Sequence, residues 1–236
     1  MKTIGLIGGM SWESTVPYYQ TVNRVIGQRL GGLHSAKVAL YSVDFCEIEK
    51  LQHAGKWEES GEILADAARA VRRAGADFIV LCTNTMHKVA PQIEAAVDVP
   101  LLHIADATAE RVREAGVGRV GLLGTRFTME EDFYRGRLES RHGLAVLTPP
   151  ADARTVVHGV IYKELCLGTV RGDSRTAFRH IVADLVERGA EGVILGCTEI
   201  GLLLRQEDAP VPLFDTATIH AEAAAAFALD DSKPGV

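Results

Sequence analysis

Two short stretches hold the residue types that could move a proton. Leu81-Cys82-Thr83-Asn84-Thr85 and Leu195-Gly196-Cys197-Thr198-Glu199 each follow an apolar, β-type run. Aligned without gaps, Thr83 falls opposite Cys197 and Cys82 opposite Gly196. A thiolate can take a proton from carbon, and free cysteine ionises near pH 8.5, lower beside a helix N-terminus. Both Cys82 and Cys197 are expected where a strand hands over to a helix. The bland alternative is that each packs as a small buried hydrophobe, as free cysteine usually does. Cys46 and Cys166 have weaker contexts and read as packing residues.

A third stretch, Gly5-Leu-Ile-Gly8-Gly9-Met10-Ser11, follows the first strand and opens a helix. It is neither GxGxxG nor a P-loop. Its small residues let backbone N–H groups approach an anion, carboxylate or phosphate, at a helix N-terminus. The eight histidines are scattered and form no HExxH motif or Cys/His cluster, so no metal site is expected. No GxSxG elbow is present, which argues against an α/β-hydrolase.

The elements that must position these groups alternate. Short β-type runs (3–7, 37–43, 77–81, 99–102, 119–123, 144–147, 192–195 and 211–214) are separated by helix-type segments. The segment 58–73 carries Ile63, Leu64, Ala67, Ala70 and Val71 in an i, i+3, i+4, i+7 stripe, with Gly75 as its stop. Thr128-Met-Glu-Glu131 fits a capping box opening a helix through Arg141. Such alternation predicts an α/β fold with parallel sheets and helices on both faces.

The chain also repeats itself. Ile4-Gly-Leu-Ile-Gly8 matches Val120-Gly-Leu-Leu-Gly124. Ala74-Gly-Ala-Asp-Phe-Ile-Val-Leu81 matches Arg188-Gly-Ala-Glu-Gly-Val-Ile-Leu195, and Val99-Pro-Leu-Leu102 matches Val211-Pro-Leu-Phe214. Three matches in one order, at slowly shrinking offsets, predict two pseudo-symmetric lobes, each a short parallel sheet flanked by helices. The expected division is 1–98 with 210–236 for the first lobe and 99–209 for the second. Ligands sit beyond the carboxyl ends of parallel strands, so the expected active site is a cleft between the lobes. Opposed groups there would suit removal of a proton from one face of a carbon and its return to the other.

The 236 residues, 47% apolar and 24% charged, describe an ordinary globular chain. A net charge of −6, with no Lys/Arg cluster, speaks against nucleic acid or a membrane surface as partner. The opening residues do not read as a signal peptide, and no run is long enough to span a bilayer. Free thiols and a cytoplasmic location are the expectation. The expected partner is a small molecule. A homodimer is expected.

At Gly5–Thr15 (GLIGGMSWEST), Cys82–His87 (CTNTMH), Val157–Gly168 (VHGVIYKELCLG) and Gly196–Ile200 (GCTEI) the chain resembles the aspartate/glutamate racemase family. It is most similar to bacterial members specific for L-aspartate and L-glutamate. The resemblance runs to about Phe227. It implies a two-lobed α/β fold and racemisation without pyridoxal or any other cofactor, a cysteine in each lobe flanking the substrate Cα. Here Thr83 stands where the common Cys-Asn-Thr motif has its cysteine, and the thiol is one position back, at Cys82. Adjacent strand residues face opposite ways. Thr83 and Cys197 are therefore the expected catalytic pair.

The resemblance further implies that Met10, Asn84, Thr85 and Thr198, with Gln52, bind the substrate. N–H donors at three helix N-termini would stabilise the enolate-like state. Some aspartate racemases carry a lysine where this chain has Cys166. If that lysine grips the distal carboxylate, Gln52, Lys163, Arg126 and Arg135 are its candidate replacements. Glu199 stands where dedicated glutamate racemases have histidine, and its plainest role is a helix cap. Two rival functions remain open: a non-catalytic acidic-amino-acid binder, or a sister isomerase or decarboxylase of a small acid.

Overall fold

A computed structural model describes residues 1–230. The chain divides into two compact units, Met1–Ile104 with the chain from His220 onward, and Ala105–Ile219. In chain order the first contributes β1 (Ile4–Gly8), α1 (Trp12–Leu30), β2 (Val38–Ser42), α2 (Phe45–His53), α3 (Trp57–Arg73), β3 (Phe78–Leu81), a 3-10 turn (Thr85–Val89), α4 (Ala90–Ala96) and β4 (Leu101–Leu102). The helix α5 (Ile104–Glu114) leads into β5 (Arg119–Gly124), α6 (Arg126–Glu130), α7 (Asp132–His142), β6 (Ala145–Leu147) and α8 (Ala151–Lys163). A 3-10 turn (Leu165–Leu167), α9 (Gly172–Glu187), β7 (Gly192–Gly196), α10 (Ile200–Leu203), a further 3-10 turn (Gln206–Asp208), β8 (Leu213–Asp215) and α11 (Thr216–Leu229) complete the order.

Each unit holds one four-stranded parallel sheet, ordered β2-β1-β3-β4 in the first and β6-β5-β7-β8 in the second. The α/β fold with two parallel sheets is thus as expected. The division differs from 1–98 with 210–236 and 99–209, because that partition cuts each fourth strand from its sheet. Leu101 pairs with Ile79 of β3, and Phe214 pairs with Ile194 of β7. The crossover out of each unit is the helix after its fourth strand. Residues 231–236 of that assignment lie outside the described residues.

The repeat is visible in local geometry. α3 and α9 both end at a glycine with φ near +95°, Gly75 and Gly189, a conformation that costs a side-chain-bearing residue. The following alanine N–H then bonds back across the last turn, Ala76 to Val71 O at 3.1 Å and Ala190 to Leu185 O at 2.9 Å. The acid that comes next ties down the first strand of its own sheet. Asp77 Oδ2 accepts from Thr3 N, and Glu191 Oε2 accepts from Gly118 N and Arg119 N.

The α3 stripe is buried at Leu64, Ala67, Ala68 and Val71 against Ile7, Ile79 and Leu81 of the sheet. The second core packs Val157 and Ile161 of α8, and Phe178, Val182 and Leu185 of α9, on Leu123, Val193 and Leu195. The capping box expected at Thr128–Glu131 does not form. Thr125 caps α6 by accepting from Thr128 N, and α7 starts afresh at Asp132. The helix signal is one turn out because a short helix precedes the long one.

Candidate active site

In each sheet the chain leaves the first strand toward one edge and returns to the far side. The switch in direction lies between β1 and β3, and again between β5 and β7. Ligands of open α/β sheets bind beyond strand ends at such points. Met10, Thr83, Asn84, Thr85, Cys197 and Thr198 fall there; Gln52, Arg135 and Lys163 lie on helices α2, α7 and α8.

In the first unit the β1 loop is fixed by glycine chemistry. Gly9 has φ +94°, and a Cβ there would run into Val43 O and Ser42 Oγ. Thr15 Oγ1 accepts from Gly9 N and donates to Ser11 O, both at 2.9 Å, stitching the loop to the first turn of α1. Met10 is buried in the core with Ile48 and Met86, and the Met10–Ser11 peptide is cis. Gln52, on α2, is buried and gives its Nε2 to Met86 Sδ at 2.9 Å, so it joins the same group.

Beside that loop, Cys82 N–H donates to Ile7 O, extending the ladder one residue past β3. The Cys82 thiol lies inside, fully buried and 3.7 Å from Val80 O, and burial pushes its pKa up. Thr83 turns over onto Leu81 O. Its carbonyl accepts from His87 Nδ1 at 2.7 Å, while Ile104 N–H donates to His87 Nε2 at 3.2 Å. The second bond requires an unprotonated Nε2, which assigns the proton of a neutral ring to Nδ1. Asn84 and Thr85 are buried in the turn that follows.

In the second unit Cys197 stands one residue beyond β7. Its Sγ donates to Glu199 Oε2 at 2.9 Å, and Thr198 Oγ1 donates to the same oxygen at 2.9 Å. Glu199 is buried, with 1% exposure. The Cys197 thiol is held well above its ordinary pKa, by burial first and then by the charge of Glu199, with Cys166 contributing. Cys166 packs on the same core and is pushed up by burial and by Glu199.

Two expectations change here. A helix N-terminus was expected to lower the thiol, but the following helix is the four-residue α10, and burial, then the adjacent carboxylate, raise the thiol instead. Glu199 occupies the N-cap position of α10 without capping it. Its carboxylate serves the thiol and the Thr198 hydroxyl instead.

Of the expected residues, the first unit gathers Met10, Gln52, Thr83, Asn84 and Thr85, and the second holds Cys197 and Thr198. Glu199 and His87 are the additions. Their sequence signals are an acid two residues after Cys197 and a histidine four after Thr83. Only α1, among the three helix N-termini expected to supply N–H donors, begins a long helix; the others are a 3-10 turn and α10. Among the described residues no helix is long and apolar enough to cross a membrane.

A hydroxyl follows β3 in the first unit and a hydrogen-bonded thiol follows β7 in the second, at matching places in a duplicated parallel α/β unit. Residues 7–224 match the family model for Asp/Glu/Hydantoin racemase, and the chain belongs to that family. A crystal structure of a candidate Asp/Glu racemase from Yersinia pestis is 56% identical, TM-score 0.90, over 98% of this chain and all of that one. An aspartate racemase homologue from Pyrococcus horikoshii OT3 is 36% identical, TM-score 0.83, over 98% of this chain and all of its own. The broad specificity amino-acid racemase RacX of Bacillus subtilis is 23% identical over 93% of this chain and 95% of its own. These relations support an amino-acid racemase.

Proposed function

We propose that the protein racemises acidic amino acids, aspartate and glutamate, with Cys197 acting at one face of Cα and Thr83 at the other. The observation that carries this reading is the Cys197–Glu199 pair at 2.9 Å. Glu199 Oε2 takes the thiol proton, and the thiolate then takes the Cα proton. The carbanion is reprotonated at its other face from the Thr83 hydroxyl, which recovers a proton from water, and Glu199 gives the proton it took back to solvent, closing the cycle. A thiol whose pKa is held high is a strong base once its proton has moved, and Glu199 Oε2, 2.9 Å away, is the acceptor in contact with it. Met10, Asn84, Thr85 and Thr198, with Gln52, bind the α-carboxylate and amino group. The acidic side chain of the substrate is supported by the named specificity of the Yersinia and Pyrococcus relatives; RacX is the reminder that the fold also serves broader substrates.

The test is exchange of the Cα proton for deuterium on L- and D-aspartate and on L- and D-glutamate, followed by NMR. Exchange is expected with the native chain and falls by at least ~10² in Cys197→Ser, the range general base catalysis contributes. Near-normal turnover by that variant would sink the thiol mechanism. A second reading, a binder that has lost its chemistry, is favoured by the hydroxyl at Thr83, a poor base at neutral pH. Binding of aspartate without any exchange decides for it.

A further inference from the structure

We infer that Arg126 is the specificity-determining residue that receives the distal carboxylate of an acidic substrate. The inference rests on the racemase reading for what happens at Cα, but its own evidence lies wholly within the second unit.

Strand register places the residue. Gly124 of β5 pairs with Gly196 of β7, so Thr125 follows one strand end as Cys197 follows the other, and Arg126 opens α6 directly after it. The two strands stay close to their ends: a Cβ on Gly124 would lie 2.7 Å from Gly196 O. Neighbouring strands are about 4.8 Å apart, a gap that a guanidinium on its three-carbon stem spans easily. A substrate with its Cα at Cys197 Sγ therefore holds its side-chain carboxylate within reach of Arg126.

The backbone that carries Arg126 is fixed from two sides. Thr125 caps α6, and Arg126 N–H donates to His158 Nδ1 at 3.2 Å. His158 leans on Tyr162, ring centroids 4.8 Å apart, and Tyr162 packs against the core that contains Cys197. One face of α8 thus ties the arginine's backbone to the core around the thiol. The guanidinium itself is exposed, lies 5.8 Å from the Phe127 ring, and forms no ion pair among the described residues.

The other candidates are placed for other work. Arg135 is held by Asp132 at 3.3 Å and Glu139 at 3.9 Å. Gln52, in the first unit, gives one of its amide N–H groups to Met86 and is assigned to the α-carboxylate and amino group. Lys163 follows Tyr162, about 100° around α8 from the stripe that Tyr162 shares with His158. Arginine also fits the chemistry, because its planar fork binds a carboxylate through two parallel N–H···O bonds, which an amide cannot reciprocate.

The experiment is calorimetric titration of the full chain with L-aspartate, L-glutamate and L-asparagine, in the native protein, Arg126→Gln and Arg126→Lys. The side chain is exposed and its backbone bond survives in both variants, so the fold is retained. Arg126→Gln is expected to weaken aspartate and glutamate ten- to hundredfold and leave asparagine unchanged. Arg126→Lys recovers part of the loss. In turnover, the Gln variant raises KM for acidic substrates with kcat little altered, the pattern of lost uniform binding. Undiminished aspartate binding by Arg126→Gln overturns the assignment, as does a native protein that holds asparagine as well as aspartate. Arginine-dependent aspartate binding without Cα exchange supports the assignment and overturns the racemase reading instead.

Discussion

Acid should loosen the first unit through His220. The ring is completely buried, giving Nε2–H to Leu102 O at 2.8 Å and taking the Tyr18 hydroxyl on Nδ1 at 3.0 Å. A second ring proton would bring a charge into the core and reverse the bond to Tyr18. Burial accordingly pushes the pKa from 6.5 down to about 4. Above pH 6.5 neither the folded nor the unfolded chain protonates this histidine. As pH falls from 6.5 toward 4, the unfolded chain takes a proton that the folded one refuses, so stability is lost. Below pH 4 both carry it. At about 1.4 kcal/mol per pH unit the window is worth about 3 kcal/mol, a large share of a typical 5–15 kcal/mol.

Tyr18 bonds the ring directly and His87 lies 6.0 Å away, itself against His103 at 4.4 Å. Carboxylates elsewhere titrate in the same range, so the comparison must be with a variant. His220→Gln keeps a donor and an acceptor but cannot titrate. Urea unfolding read by tryptophan fluorescence reports this unit, because Trp12 and Trp57, the only tryptophans, both belong to it. The variant should be less stable than the native chain at pH 8, and the gap should shrink by about 3 kcal/mol between pH 7 and pH 4. Parallel stability curves over that range would refute the argument.

Other outcomes follow from the site. Glu199→Gln removes a charge that holds the Cys197 thiol up, so alkylation of Cys197, followed by peptide mapping, should begin at lower pH than in the native chain while racemisation slows; an unmoved alkylation profile would detach Glu199 from the thiol. Thr83→Cys should narrow any difference between initial rates from the two enantiomers, whereas Cys82→Ala, which removes a thiol from the core, should leave the rates near native and cost only a little stability in urea. Gly9→Ala puts a side chain at φ +94° against Val43 O, and should cost about 1–3 kcal/mol of stability with loss of activity, measured by the same unfolding assay and by exchange.

Much of this was legible from the residues. The period-3.6 stripe of α3 was readable because one face is apolar and the other charged. The duplicated Gly-Ala turn before β3 and β7 was readable because only glycine accepts its φ. The unit boundary was misread although the repeat contained it: the Val-Pro-Leu match is the last in each half, so each fourth strand closes its own unit. The start of α7 was misread because a separate short helix, α6, capped by Thr125, takes up the segment before it, and α7 begins only at Asp132. Glu199 was read as a cap for a similar reason. Its position fits a helix start, and only side-chain geometry shows the carboxylate turned to Cys197.

The two halves of the repeat have diverged where it matters for direction. At Thr83 the supporting group is His87, and it bonds the main-chain carbonyl, not the hydroxyl. At Cys197 the supporting group is Glu199, and it bonds the reactive atom itself. In this arrangement a proton has a built-in store on the Cys197 side, while the Thr83 hydroxyl must exchange with solvent. Abstraction by Cys197 is then expected to be the easier of the two, and initial rates from the two enantiomers at saturation should differ. The equilibrium between mirror images remains unity, so the faster enantiomer must also show the proportionally larger KM. Equal saturated rates from L- and D-aspartate, and from L- and D-glutamate, would mean that the Thr83 side has an acid–base partner as effective as Glu199.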